Sequence, residues 1–263
     1  MPLIDIPKIG LGTWENKTPS SIAKAIQLGY RHIDTAQAYF NEEVVGEGIK
    51  ESGISRDEIF LATKVSPSFL QPDDVKRSTR ESLDRLGVEY LDLLYIHWPA
   101  ETYEPQATLS AFNEVREERL TRHIAVSNFT PQLLDEVFEI SKAPLVANQV
   151  EMHPLLRQNE LVEYVKKHDM YLVAYSPLMQ GEVFDVPEVQ EVAQRHGVSE
   201  AQVSLAWLLS KDNVVTIPKA TSEEHQRENL KAAEIRLTSD DIKLIDSIED
   251  EYRIIDPYFA PEW

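Results

Sequence analysis

Asp34, Lys64, His97, Asn128, Gln149, Tyr175 and Lys219, residues able to move protons, hold anions or stack on flat rings, each close a short apolar run, at intervals of roughly 30 residues. Tyr39 joins them, a little beyond Asp34 in GYRHIDTAQAY. An aspartate, a tyrosine, a lysine and a histidine brought to one place form a proton-donating set. A free phenol, with a pKa near about 10, is a reluctant acid at neutrality, and a neighbouring ammonium favours its phenolate. Lys64 is therefore expected to lower the pKa of Tyr39, each unit requiring about 1.4 kcal/mol of differential interaction, and Asp34 to keep Lys64 charged and aimed. Taken singly, each residue has a plainer role. Asp34 and Lys64 could form a structural ion pair, Tyr39 could be packing, and His97, between Ile96 and Trp98, a hydrogen-bonded core group. Joint placement at the ends of successive runs is what favours chemistry.

The runs that must position these groups are Lys8 to Thr13, Arg31 to Asp34, Ile59 to Lys64, Leu91 to His97, Ile124 to Asn128, Leu145 to Gln149, Tyr171 to Tyr175 and Val214 to Lys219. They are short, rich in Ile, Val and Leu, and too unbroken for strands with one wet face, so they suit a parallel sheet covered on its outer side. The first carries two glycines that weaken strand propensity but let backbone approach a ligand. Helical periodicity fills the gaps over 20–28, 41–51, 72–86, 109–118, 131–140, 158–167, 187–195, 200–209, 223–232 and 240–248. Thr18 before Pro19, Asn41 before Glu42, Thr130 before Pro131 and Gly87 after Leu86 read as helix start and stop signals. Repeated strand and helix units predict an α/β fold, a (β/α)8 TIM barrel closed by right-handed crossovers, with 1–263 as a single domain.

Length and composition agree. The 263 residues match the usual barrel size of about 250, and 42% hydrophobic residues suffice for a core. No run approaches the ~18 apolar residues of a membrane span, and the start MPLIDIPKIG lacks secretory features. The chain has no cysteine, which excludes disulfides, thiol catalysis and thiolate metal sites and points to a reducing cytoplasm. Asp and Glu number 45 against 26 Lys and Arg, a formal charge of −19 that argues against nucleic acid and anionic membranes as partners. Two readings of that charge stay open: adaptation to high salt, which screens self-repulsion, and an ordinary acidic enzyme.

The sequence resembles the aldo-keto reductase family. The resemblance is carried by GLGTW (10–14), GYRHIDTAQAYFNEEVVG (29–46), TKV (63–65), LDLLYIHWP (91–99), VSNF (126–129), NQVEMHPLLRQ (148–158), AYSPL (174–178), IPK (217–219), the pair Glu228 and Asn229, and the terminal DPYFAPEW. It is similar in particular to small prokaryotic members of the 2,5-diketo-gluconate reductase type. The resemblance implies an NAD(P)H-dependent carbonyl reductase with Asp34, Tyr39, Lys64 and His97 as the catalytic four. Tyr39 would donate a proton while hydride passes from the nicotinamide to the carbonyl carbon, with His97 orienting the substrate and no metal required. Ser127, Asn128 and Gln149 match positions that hold the carboxamide, and Tyr175 the ring that stacks on the nicotinamide. Thr13, Ser176, Leu178, Lys219, Ala220, Thr221, Ser222, His225, Glu228 and Asn229 match further cofactor positions. Trp14, His97, Trp98 and Trp263 match the walls of the pocket for a small carbonyl substrate, such as a keto sugar or methylglyoxal, and the chain is expected to act as a monomer.

Departures from the family pattern carry expectations of their own. Ala220 follows Lys219 where a serine is usual, and His225 stands at the usual arginine. Histidine is mostly neutral above its reference pKa of about 6.5, so NADPH is expected with a weakened grip on its 2′-phosphate and NADH usable beside it; the plainer view is that Lys219, with Arg227 reaching in, suffices for NADPH. Ser66 replaces a large aromatic, which widens the pocket or makes it more polar. Ala125 and Arg119 occupy positions where glycine is common, and SPLMQGEVF varies the loop over the pyrophosphate. Two other classes are weighed against the reductase. A nonenzymatic nicotinamide-nucleotide sensor or partner subunit would keep Ser127, Asn128, Gln149 and Tyr175 without needing all four catalytic groups. A metal-dependent hydrolase could draw on His32 and Asp34, which share a strand face but lack the further histidines a metal would want.

Overall fold

Side chains alternate along a strand with a period of two, so each strand of a closed sheet sends one set of residues to the axis and the other outward. The computed structural model describes residues 4–263, and the first three residues of the start MPLIDIPKIG lie outside the described residues. Eight strands, β1 (Gly10–Gly12), β2 (His32–Asp34), β3 (Phe60–Val65), β4 (Leu91–Ile96), β5 (Thr121–Ser127), β6 (Leu145–Glu151), β7 (Tyr171–Tyr175) and β8 (Val214–Thr216), pair in parallel in chain order. Parallel bridges of Ile9 to Thr216 and Gly12 to Lys219 bring the last strand back to the first. At that seam the Gly12 N–H donates to the Pro218 carbonyl at 3.1 Å, and a Cβ on Gly12 would lie 2.6 Å from the Ile217 carbonyl oxygen, which is why glycine is needed there. The protein is a single-domain (β/α)8 barrel.

Ten helices are described: α1 (Pro19–Leu28), α2 (Glu42–Ser52), α3 (Pro72–Leu86), α4 (Pro105–Glu117), α5 (Pro131–Ile140), α6 (Asn159–Lys167), α7 (Pro187–His196), α8 (Glu200–Leu209), α9 (Glu223–Lys231) and α10 (Ser239–Asp246). Half of them open on a proline, whose fixed φ suits the first helical turn and whose missing N–H costs nothing there. Among the described residues no helix is long and apolar enough to cross a membrane.

The pattern of burial divides the core in two. Ile33, Leu61, Leu94, Ile124 and Leu172 face the helices, whereas Ala62, Leu93, Ala125, Ala147, Val173 and Val215 face the axis. Two steps further along the first five of those strands, on the same axial face, come Lys64, Tyr95, Ser127, Gln149 and Tyr175, and just past the end of β8 comes the apolar Ile217. Alternation therefore delivers polar side chains to the mouth from strands whose lower halves fill the interior.

Several boundaries differ from the sequence expectation. α4 begins at Pro105, one turn before Leu109; β1 is confined to Gly10–Gly12; and β8 stops at Thr216, ahead of Pro218, which has no N–H to give a ladder. Thr130 caps α5 by accepting from the Leu133 N–H, and Gly87 ends α3 with φ 64°. Thr18 and Asn41 stand at N-cap positions without capping through their side chains. The Asn41 amide instead donates to the carbonyls of Thr13 (2.7 Å) and Asn16 (3.1 Å), tying the β1 loop to α2. Arg119 adopts φ 63°, the left-handed backbone that explains why glycine is common at that turn.

Candidate active site

β2 ends at Asp34, fully buried, and the chain then makes a single 3-10 turn, Gln37–Tyr39, that swings the tyrosine back over the mouth. Gln37 fixes that turn: its amide nitrogen donates to the Ser78 carbonyl (3.2 Å) and Ser82 Oγ (3.1 Å) on α3, and its oxygen accepts the Ser66 N–H (3.0 Å). Lys64, at 1% exposure, reaches across from β3. Its Nζ lies 2.5 Å from Asp34 Oδ1, 2.8 Å from the Thr35 carbonyl and 3.3 Å from the Tyr39 hydroxyl. Gln149 closes the other side of the aspartate, donating from Nε2 to Asp34 Oδ2 at 2.8 Å. His97 stands edge-on to the Tyr39 ring, centroids 5.9 Å apart. The structure thus gathers all four proposed catalytic residues in one cluster.

The electrostatics of the cluster decide which protons are present. Burial alone would depress the Lys64 ammonium, but Asp34 and Tyr39 hold it above the ordinary lysine value, so it stays charged. Burial pushes the Tyr39 phenol up, and the attraction of Lys64 offsets only part of that rise. The expected lowering of the tyrosine pKa is therefore corrected: loss of water around the phenolate outweighs the nearby cation. Tyr39 rests as a neutral phenol with its proton in hand. Burial, and secondarily the charge of Lys64, hold the His97 imidazole well below its usual range, so it is neutral, and its Nδ1 has no hydrogen-bond partner among the described residues.

Above the cluster opens a cavity of about 620 Å³. Of the residues expected there, Thr13, Trp14, Asp34, Tyr39, His97, Trp98, Ser127, Asn128, Gln149, Tyr175, Ser176, Leu178 and Lys219 line it. Asn128 leaves β5 with φ 65°, a left-handed conformation that asparagine tolerates, and its Nδ2 donates to the His97 carbonyl and to Ser127 Oγ, both at 3.0 Å. Tyr175 donates from its hydroxyl to Asn128 Oδ1 at 2.9 Å. Asn148, facing outward beside Gln149, braces this turn by donating to the Phe129 carbonyl at 2.8 Å.

Other expected residues lie elsewhere. Ala220, Thr221, Ser222, His225, Glu228 and Asn229 do not line the cavity; they sit around the start of α9, beyond Lys219. Ala220 and Asn229 are buried, Ser222 caps α9 by accepting the His225 N–H at 3.2 Å, and the Glu228 carbonyl accepts from Gln202. The His225 side chain is exposed, and Arg227 is held by Glu223 through both Nε (3.0 Å) and a terminal nitrogen (2.7 Å). Trp263 is displaced from the wall to its outer side, packing edge-on against Trp98 at 6.2 Å. Glu15, Gln180, Phe184 and Ile255, which were not foreseen, complete the lining together with Gly12, Pro177, Gly181 and Ile217. The segment from Ser176 to Gly181 carries four residues at positive φ, Ser176, Met179, Gln180 and Gly181, a concentration of strain of the kind kept at binding sites. His32, considered above as a metal ligand, is instead fully buried against Phe60, and among the described residues no cluster of three or more His, Asp or Glu has metal-holding geometry.

The sequence profile of the Aldo/keto reductase family matches residues 8–250. The chain belongs to the aldo/keto reductase family. Among its relatives, a 9,11-endoperoxide prostaglandin H2 reductase of Trypanosoma cruzi is 38% identical over 95% of this chain and 90% of its own length. Methylglyoxal reductase DkgB of Escherichia coli O157:H7 is 37% identical over 98% and 99%. A crystal structure bearing the name 2,5-diketo-D-gluconic acid reductase B superposes with a TM-score of 0.94 at 36% identity, covering 98% of this chain and 94% of that one. This aldo-keto reductase is accordingly an oxidoreductase of carbonyl groups, and the family uses nicotinamide cofactors.

The donor set of the cavity fits such a cofactor. A primary amide has two N–H donors and two acceptor lone pairs; Gln149 uses one N–H on Asp34, and the Asn128 oxygen uses one lone pair on Tyr175, which leaves capacity for a carboxamide beside the flat Tyr175 ring. The Lys219 ammonium lies at the exposed far side, suited to an anionic group.

Proposed function

We propose that this reductase converts small aldehydes or ketones to alcohols with NADPH, and accepts NADH beside it, with Tyr39 as the proton donor. The observation that carries the reading is the contact of the buried Lys64 ammonium with both the Asp34 carboxylate and the Tyr39 hydroxyl, at the base of an open cavity. A carbonyl oxygen seated between Tyr39 Oη and the neutral His97 imidazole accepts a hydrogen bond from each. When bound, the reduced nicotinamide supplies the hydride that adds to the carbonyl carbon. Tyr39 passes its proton to the developing alkoxide, the phenolate left behind is stabilised by Lys64 at close range, and solvent later restores the proton. Asp34, braced by Gln149, keeps Lys64 charged throughout. Trp14 and Trp98 wall the cavity, and such aromatic faces suit small carbonyl compounds.

The relatives widen the choice of substrate rather than fix it, since a methylglyoxal reductase and a prostaglandin endoperoxide reductase match this chain almost equally. Oxidation of NADPH followed in the presence of methylglyoxal, a 2-oxoaldehyde, and of a keto sugar tests the reading. In this reading Ser127, Asn128, Gln149 and Tyr175 form the nicotinamide site, and Lys219 with the first turn of α9 the adenosine end.

At that end Glu223 and Glu224 occupy the first turn of α9, and Glu223 pairs with Arg227 and Lys24, so of the nearby cations Lys219 is the one that lines the cavity. His225→Arg is expected to raise the NADPH over NADH ratio of kcat/KM about tenfold or more, the worth of one hydrogen bond to a charged group. Steady-state kinetics with both cofactors checks this, and an unchanged, strong NADPH preference in both proteins would refute relaxed selectivity.

A further inference from the structure

We infer that Glu151, through the C-terminal segment, is a positioning residue that sets the outer wall of the carbonyl pocket; this rests on the reductase reading above. Glu151 ends β6 two residues beyond Gln149 and is fully buried. Its carboxylate is spent on backbone that lies more than a hundred residues away: Oε1 accepts the Ile254 N–H at 2.7 Å and Oε2 the Ile255 N–H at 2.8 Å. His153 Nε2 lies 2.9 Å from Oε1.

Beyond α10 the chain runs to Trp263 without helix or strand, so no ladder of its own places it. Two consecutive N–H groups on the two oxygens of one carboxylate fix both position and direction at that point, and the Tyr252 N–H adds a bond to the Leu155 carbonyl at 2.8 Å. Ile255, held directly by Glu151, lines the cavity. Phe259 and Trp263, further along, pack edge-on against Trp98 at 5.6 and 6.2 Å, and the Arg253 guanidinium lies 3.7 Å from the Trp263 ring centroid. The apolar lining made by Trp98 and Ile255 is thus supported by a segment pinned to the barrel at Glu151. On the cofactor side Asn128 and Lys219 make no hydrogen bond to Glu151, Ile254 or Ile255, whereas Tyr175 is the register neighbour of Glu151 across β6 and β7.

Glu151→Gln keeps shape and volume but offers a single acceptor oxygen and turns an N–H toward one of the two backbone donors. With benzaldehyde as probe, KM is expected to rise about tenfold while kcat changes by less than about twofold, and the Kd for NADPH, read by fluorescence, stays that of the native protein. Amide exchange provides an independent reading: Ile254 and Ile255 are protected in the native protein and exchange rapidly in Glu151→Gln. An unchanged KM, or a fall in kcat and cofactor affinity together, overturns the inference. If the variant does not fold, the native protein decides, since exchange of Ile254 and Ile255 at the rate of free amides overturns it and protection supports it. Failure of the native protein to reduce any carbonyl would instead sink the reductase reading, and the exchange result would still judge the anchor.

Discussion

Replacing Tyr39 with phenylalanine is expected to lower kcat/KM for carbonyl reduction about a thousandfold, the loss of a positioned general acid and roughly 4 kcal/mol of transition-state stabilisation. The ring and its edge-on contact with His97 remain, and Lys64 keeps Asp34 and the Thr35 carbonyl as partners, so the barrel stays folded. The nicotinamide contacts proposed for Asn128, Gln149 and Tyr175 do not pass through the phenol, so the Kd for NADPH is expected to hold. Because burial raises the Tyr39 pKa, the native enzyme should keep its proton donor through neutral and mildly alkaline pH, and the rate of reduction should not decline there from loss of that proton. Stopped-flow measurement of cofactor oxidation, beside fluorescence titration of cofactor binding, checks both statements. A Tyr39→Phe variant that turns over within a few-fold of the native rate would remove the phenol from the chemistry.

Acidification should destabilise the fold through His32. This ring sits on the axial face of β2, fully buried, and it packs so tightly that a Cβ on Gly10 would lie 2.6 Å from Nδ1. Burial pushes its pKa down from the usual 6.5 to about 4. The unfolded chain therefore binds a proton between those values that the folded chain refuses. Stability is complete above pH 6.5 and is lost as pH falls toward 4, on the order of 3 kcal/mol from this residue. His97, also held low, adds loss in the same direction. His32→Leu removes both polar nitrogens from an apolar setting, so it should cost little at pH 7 and flatten the dependence on pH. Urea unfolding at pH 7 and pH 4.5 measures this, and parallel losses in the two proteins would show that His32 is not the titrating group.

The site was legible where it follows from strand alternation. Asp34, Lys64, Gln149 and Tyr175 end apolar runs, and inward alternation carries them to one mouth without any knowledge of the helices. Depth was not legible. Whether Lys64 or burial governs the Tyr39 proton depends on how much water reaches the phenol, which spacing along a chain does not encode. Partners distant in sequence were also hidden: Gln37, Asn41 and Glu151 act on backbone atoms of Ser66, Thr13 and Ile255, and polar residues of these types look the same in a solvated loop. Asn41 read as a helix cap because its position suits one, yet its amide is drawn to the carbonyls of the β1 loop. At the adenosine end the substitution at His225 was visible, whereas the capture of Arg227 by Glu223 needed the helix turn that brings them together.

The most direct test of the central claim follows the hydride and the proton together in the native protein and in Tyr39→Phe. With NADPH deuterated at the transferable C4 position and methylglyoxal as acceptor, the product is examined by mass spectrometry while cofactor oxidation is recorded. The expected result is an alcohol labelled at the former carbonyl carbon, one per cofactor oxidised, in the native protein, and near-silence in the variant despite bound NADPH. Cofactor bound by both proteins with no labelled alcohol from methylglyoxal or a panel of other small aldehydes and ketones, or equal labelling in the two proteins, would contradict it.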